Sequence, residues 1–205
     1  MVDVKTHHFF PTVIVEFSHH SSDWDKNQMI RYIKNAEKNE DGSSGFTVHT
    51  NDNLHSLSYF RKLRDMILEA NKEYVEKMHF IYDRIEITSM WGNCSEKGHV
   101  HPPHSHSNNL LSGVYYLKGK QIETSPIQFF DPRPQADILK PRTSELNKEN
   151  TSMVAFWPTE GTGYIFPSWL EHWVPPTQNE RISVSWNVIL RGDYGEPGTL
   201  QNVNI

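Results

Sequence analysis

Past residue 80 the chain is built from short apolar, β-branched and aromatic runs, and this pattern constrains the fold more than any other feature. The runs are Ile81 to Trp91, Leu110 to Leu117, Pro126 to Phe130, Ser152 to Trp157, Gly163 to Phe166 and Arg181 to Leu190, parted by glycine- and proline-bearing turns. Several of them alternate apolar with polar residues, the period of a half-buried strand. Short strands in series without helices between them predict a sandwich, barrel or jelly roll. The stretch from Asp131 to Asn150 is rich in proline and charge and has no period. A long loop of this kind inside a compact domain predicts a lid or binding loop, or a disordered segment.

Before residue 80 the period is helical. Ser21-Ser22-Asp23 is a capping-type cluster, followed by Met29, Ile30, Ile33 and Ala36 in a helix expected to end near Asn39. Asp41-Gly42-Ser43-Ser44-Gly45 is a loop on composition. Phe60, Leu63, Ile67, Ala70, Tyr74 and Met78 then step at helical spacing, an apolar stripe meant for a core. The expected architecture is α+β: N-terminal helices packed on a double-stranded β-helix, or jelly roll. It is read as one domain over residues 1–205, with a helical part at about 20–79 and a jelly-roll core at about 80–192.

Composition narrows the function classes. Twenty Lys and Arg against 25 Asp and Glu give a net charge of −5, which argues against a nucleic-acid partner, since such proteins carry basic patches. No stretch approaches the length of an apolar membrane span, and Met1 to Phe10 shows no apolar secretory core. Cys94, the single cysteine, fits a reducing compartment; nothing around it activates a thiol, so it reads as a small buried or loop residue. The expected location is cytoplasmic, with no membrane partner.

The histidines depart from this plain background. Of 12 in the chain, His99, His101, His104 and His106 fall within eight residues. Residues i and i+2 of an extended chain share a face, so His104 and His106 can reach one metal ion. His172 lies in Phe166-Pro167-Ser168-Trp169-Leu170-Glu171-His172-Trp173, and nine residues later Arg181 opens a strand. There Arg181, Ser183, Ser185 and Asn187 share one face, while Ile182, Val184, Trp186 and Val188 share the other. An arginine-led polar face opposite an apolar one lines a polar cavity. His99 and His101 read as solvated loop residues, with a substrate-side role as the alternative, and His7, His8, His19 and His20 as surface residues. Trp91, Trp157, Trp169, Trp173 and Trp186 read as core or pocket walls.

These residues together resemble the Fe(II)- and 2-oxoglutarate-dependent oxygenases, in particular a 2OG-Fe(II) oxygenase family of bacteria and phages. The motifs that carry the resemblance are His104 and His106, Ser112-Gly113-Val114-Tyr115-Tyr116-Leu117, Asp131-Pro132-Arg133, Phe166 to His172, and Arg181 to Asn187. The resemblance implies an enzyme, an oxidoreductase. Fe(II) would be held by His104, His106 and His172, with positions left for 2-oxoglutarate and dioxygen. Arg181 and Ser183 would anchor the distal carboxylate of 2-oxoglutarate, for which a bidentate arginine suits better than lysine. Tyr116 reads equally as a core tyrosine or as a helper in that task. Asn93 and Arg133 are further substrate or cosubstrate contacts.

The superfamily's usual first motif is His-x-Asp or His-x-Glu, whereas the third position here is His106; the bacterial and phage family also carries His-x-His at this place. A carboxylate ligand brings a negative charge and a neutral imidazole brings none, so by charge alone three imidazoles raise the potential of the iron. The implied reaction is hydroxylation of a small-molecule or peptidyl substrate, by analogy with the prolyl hydroxylases, whose Tyr-Tyr-Leu strand is similar. A cupin that binds metal without 2-oxoglutarate shares the jelly roll and a His-x-His motif. It expects a glutamate four or five residues after His106, where this chain has Leu110 and Leu111, and it gives no reason for Arg181. A non-enzymatic jelly roll with a stabilising metal is a third reading, and it expects closed coordination.

Overall fold

The computed structural model describes residues 2–19, 24–36, 47–121 and 123–205. In chain order the described elements are β1 (Val15–Ser18), α1 (Lys26–Asn35), β2 (Val48–His49), α2 (Arg61–Lys77), β3 (Arg84–Ser95), β4 (His101–His104), β5 (Leu111–Lys118), β6 (Ile127–Phe130), β7 (Met153–Phe156), β8 (Thr162–Pro167), β9 (His172–Val174), β10 (Arg181–Arg191), β11 (Asp193–Tyr194) and β12 (Val203–Asn204). Short 3-10 turns cover Leu54–Ser56, Ser58–Phe60 and Pro134–Asp137.

Two antiparallel sheets face each other. The larger runs β1-β8-β5-β10-β3-β2 and the smaller β4-β9-β6-β7. From β3 onward the chain crosses to the smaller sheet for β4, returns for β5, crosses again for β6 and β7, returns for β8, crosses for β9 and returns for β10. That winding is the double-stranded β-helix expected from the strand series. Two additions come from the N-terminal part: β1 pairs with β8 and β2 with β3, so the large sheet draws strands from ahead of residue 80. Neither was visible in the sequence.

Side-chain alternation on the large sheet builds two separate cores. Ile182, Val184, Trp186 and Val188 of β10, with Leu111, Tyr115 and Leu117 of β5, are buried against Met29 and Ile33 of α1 and Leu63 and Ile67 of α2. The opposite face contributes Val114, Tyr116, Tyr164 and Phe166 to a second cluster with Ile127, Phe129 and Val174 of the small sheet. Burying each such aliphatic or aromatic side chain stabilises the fold by about 1.5–3 kcal/mol. Backbone room is made where large groups cross. A Cβ on Gly113 would stand 2.2 Å from the Trp186 ring, and one on Gly92 would stand 2.5 Å from Ile33.

The helices follow their sequence signals. In α1 the Asp25 side chain accepts from the Gln28 amide at 2.9 Å, an N-cap bond that replaces a missing helical partner. The expected capping cluster at 21–23, the helix end near Asn39 and the loop at 41–45 lie outside the described residues. Helix α2 buries Leu63, Ile67, Asn71, Tyr74 and Val75, and Asn71 Nδ2 donates to the Ile67 carbonyl at 2.8 Å. Trp169 departs from expectation: it is 58% exposed, neither core nor pocket wall. It sits at the turn between β8 and β9, where the chain leaves one sheet for the other. No helix among the described residues is long and apolar enough to cross a membrane.

Candidate active site

Cross-strand pairing assembles the histidines. His104 ends β4, and its register partner on β9 is His172. His106 follows in the connection to β5, where its backbone N–H donates to the Ser168 carbonyl at 2.8 Å and Ser168 N–H donates to Leu110 at 3.0 Å. These two bonds tie the loop to the turn before β9. Ring centroids of His104 and His172 are 4.3 Å apart, those of His104 and His106 5.1 Å, and those of His106 and His172 5.2 Å. Their potential ligand atoms all lie within 4.8 Å of one another.

Each of the three imidazoles spends its Nδ1 on a carbonyl acceptor. His104 Nδ1 is 2.7 Å from the Pro102 carbonyl, His172 Nδ1 is 2.9 Å from the Leu170 carbonyl, and His106 Nδ1 is 2.5 Å from Asn187 Oδ1. A carbonyl accepts only, so each Nδ1 must carry a hydrogen, and each Nε2 keeps its lone pair. Burial lowers the pKa of all three, to about 3 for His172, where the charge of a protonated His104 adds to the effect. The cluster is therefore neutral at physiological pH and able to ligate.

His101 corrects the sequence reading. It was expected on a solvated loop, yet it opens strand β4, and its ring stacks on His104 with centroids 4.6 Å apart. Burial, then the positive charges of His104 and Arg181, hold its pKa down to about 2. It backs the triad without joining the ligand cluster.

Along β10 the polar face runs inward from Arg181. Ser183 lies opposite Tyr116 of β5 and Asn93 of β3. Arg181 is 3% exposed, and its guanidinium carbon sits 5.7 Å from the centre of the Tyr116 ring. Arg181 Nε and Nη1 and the Tyr116 hydroxyl are all buried without a hydrogen-bond partner among the described residues. Asn93 is engaged: its Nδ2 donates to Ser185 Oγ at 2.9 Å, and its Oδ1 accepts from Trp91 Nε1 at 3.1 Å. Arg133 is taken up elsewhere. Its guanidinium pairs with Asp131 at 2.8 and 2.9 Å through Nε and Nη2 on the exposed 131–150 loop, with the side chain 64% exposed.

Four residues at the site were given no role by the sequence: Asn187, Ser112, His49 and Asp52. Asn187 and Ser112 flank His106: Ser112 Oγ is 2.7 Å from Asn187 Oδ1, 3.1 Å from His106 Nδ1 and 2.8 Å from Ser168 Oγ. Asn187 was placed on the polar face of β10 by its period, but its partner depends on strand register. His49 of β2 and the nearby Asp52 help line a cavity of about 450 Å³ at His104 and His106, together with Ser89, Trp91 and Asn109. A larger groove of about 590 Å³ beside Arg31, Tyr32 and Tyr59 holds none of these histidines.

Comparison with known proteins agrees with this geometry. Residues 89–187, which hold the triad and Arg181, match the family described as "Putative 2OG-Fe(II) oxygenase". The match covers just under half of the chain and, with the structural neighbours below, indicates an enzyme of the oxidoreductase class. No curated protein sequence matches it. Solved structures share the fold at low identity. The α-ketoglutarate-dependent epimerase SnoN from nogalamycin biosynthesis superposes with a TM-score of 0.66 at 12% identity, covering 92% of this chain and 83% of its own. A Pseudomonas putida prolyl-4-hydroxylase gives 0.62 at 13% identity, with 88% and 94% coverage. HygX from Streptomyces hygroscopicus, solved with nickel and 2-oxoglutarate, gives 0.62 at 12% identity, with 87% and 83% coverage.

Proposed function

We propose that this protein is an Fe(II)- and 2-oxoglutarate-dependent hydroxylase in which His104, His106 and His172 hold the iron and Arg181 receives the distal carboxylate of 2-oxoglutarate. The observation that carries the reading is the buried Arg181 with two guanidinium nitrogens unpartnered. An unpaired buried cation costs several kcal/mol, so a fold that keeps one keeps it for an anion. A carboxylate fits the planar fork, and the unpartnered Tyr116 hydroxyl supplies one more donor beside it. Ser183 pairs across the sheet with Tyr116 and Asn93, and Asn93 is fixed by Trp91 and Ser185. A cupin or a purely structural metal site leaves Arg181 without a role.

When bound, Fe(II) with 2-oxoglutarate and dioxygen supplies the oxidative chemistry, in which decarboxylation to succinate is coupled to hydroxylation of a substrate C–H bond. The chain's own contribution is positional. Three neutral imidazoles offer lone pairs at fixed angles, and Arg181 sets how deep the cosubstrate sits. Trp91, its Nε1 anchored on Asn93 and its ring 5.7 Å from that of His106, walls the cavity where substrate would approach. The prolyl-4-hydroxylase among the similar folds supports a peptidyl substrate, and the exposed loop at 131–150 is the segment we assign as lid.

The test is an anaerobic absorption titration of metal-free protein with Fe(II), then 2-oxoglutarate. A saturable charge-transfer band that fails to form in His172→Ala is the expected result. Tight iron binding with no band on adding 2-oxoglutarate would overturn the cosubstrate assignment.

A further inference from the structure

We infer that Asn187 is a positioning residue that fixes the tautomer of His106 and, by being an amide, keeps the triad free of negative charge. The inference rests on reading the three histidines as a metal centre. His104 and His172 have Nδ1 bound to main-chain carbonyls, which no side-chain substitution replaces. His106 alone relies on a side chain, Asn187 Oδ1 at 2.5 Å.

An asparagine presents either an oxygen or an NH2 group to its neighbour, and the two choices have opposite consequences. With Oδ1 toward His106, Nδ1 carries the hydrogen and Nε2 offers its lone pair to the cluster. With the NH2 there, Nδ1 would accept, Nε2 would carry the hydrogen, and ligation would be blocked. The structure holds the first arrangement, with Asn187 Oδ1 on His106 Nδ1. Asn187 Nδ2 donates to Ser89 Oγ at 3.0 Å on one side, and Ser112 Oγ donates to Asn187 Oδ1 at 2.7 Å on the other. Ser168 Oγ, fully buried at 2.8 Å, is positioned to donate to Ser112. The chain Ser168–Ser112–Asn187–Ser89 thus holds one amide in place from both sides, and that amide contacts one imidazole.

The chemical identity of the acceptor matters as much as its place. All three Nδ1 acceptors are neutral carbonyl oxygens. A carboxylate at position 187 would have the same shape but would draw the Nδ1 proton and increase the donor strength of His106. The amide leaves the ion with its full charge, so compensation must come from an anionic ligand. Metal and 2-oxoglutarate should accordingly bind with strong mutual reinforcement.

Three proteins test this: the wild type, Asn187→Asp and Asn187→Leu. In metal-free protein, nitrogen-15 NMR reports the tautomer of His106, assigned by its loss in His106→Gln. The wild type is expected to show Nδ1–H alone, and Asn187→Leu a mixture of tautomers. By competition with a chelator, Asn187→Leu should bind Fe(II) or Co(II) about 10–100-fold more weakly. Asn187→Asp should bind at least as tightly as wild type, with a lower Fe(III)/Fe(II) potential and weaker reinforcement between metal and 2-oxoglutarate. An Nε2–H tautomer in the wild type, or a folded Asn187→Leu with wild-type tautomer and affinity, would overturn the inference. Equal potentials in wild type and Asn187→Asp would overturn the charge argument. Failure of the wild type itself to bind metal would instead sink the metal-centre reading, while the tautomer measurement would still stand.

Discussion

Arg181 lies over the ring of Tyr116 with its guanidinium carbon 5.7 Å from the ring centroid, and neither side chain satisfies all of its polar atoms. Burial pushes the Tyr116 phenol up and the Arg181 guanidinium down, each moderated by the other. The pair is a buried cation with one neutral donor beside it and, among the described residues, no acid that acts on it. Its free energy in the absence of an anion is unfavourable, and that fact gives the first two predictions.

Replacing the arginine separates binding from folding. Arg181→Met should weaken 2-oxoglutarate binding by about 2–5 kcal/mol, the cost of losing one partner of a buried charged hydrogen bond. Metal affinity should change by no more than a few-fold. Stability without ligand should hold or rise, because apolar packing replaces an unpaired buried charge. Calorimetric titration and urea unfolding read the two effects. Unchanged 2-oxoglutarate affinity would remove Arg181 from the cosubstrate site.

Tyr116→Phe asks a narrower question. The hydroxyl has no hydrogen-bond partner among the described residues, so its removal should not reduce the stability of the ligand-free form. If it serves the cosubstrate, 2-oxoglutarate affinity should fall by about 1 kcal/mol, the usual worth of one hydrogen bond. A loss of stability with affinity intact would return Tyr116 to the core.

Much of this site was legible because it depends on period and residue type. The two faces of β10 were readable from Arg181 to Val188, and the apolar face does pack on α1 and α2. What stayed hidden depends on register. Asn187 meets Ser112 only because β10 pairs with β5 at that step, and no local pattern announces it. Strand β4 was hidden for a different reason. Its sequence is His101-Pro102-Pro103-His104, and proline reads as a strand breaker. β4 is an edge strand of the small sheet, where a missing N–H is tolerated. The misplacement of His101 on a solvated loop follows from the same two prolines. Strands β1 and β2 are too short to show a period, and they exist by pairing with distant partners.

Gly113 carries a packing prediction. Its place opposite Trp186 leaves 2.2 Å between a built Cβ and the indole, and both lie on strands that hold site residues. Gly113→Ala should destabilise the protein by about 1–3 kcal/mol, the range for overpacking a filled core. A paired Trp186→Phe should recover part of that loss if the clash is with the ring. Urea midpoints of the single and double variants measure the coupling, and strict additivity would place the strain elsewhere.

His106→Asp tests the third ligand. A carboxylate there restores the charge that an imidazole lacks, so the folded variant should retain iron and lower its potential. His172→Ala removes the register partner of His104 and should lose most metal affinity. If His106→Asp folds but binds no metal, while the wild type does, the assignment of His106 as ligand is wrong.

The pH dependence of the metal-free protein follows from the same burial. His172 and His101 are held down to about 3 and about 2, and His104 and His106 are also lowered. An unfolded chain takes up protons on these side chains near pH 6.5. Between about pH 6.5 and 3 the unfolded state therefore binds more protons than the folded one, and stability must fall as pH falls. Above pH 6.5 these groups are neutral in both states and contribute no slope. The expected loss is on the order of 1 kcal/mol per pH unit for each fully neutral imidazole. Urea unfolding at pH 7, 6, 5 and 4 measures the slope, and His172→Gln should reduce it by about one proton. Bound metal holds the same lone pairs and should flatten the curve until protons displace the ion. A metal-free protein whose stability is level from pH 6.5 to 4.5 would mean that the imidazoles are solvated, and the neutral triad would no longer stand.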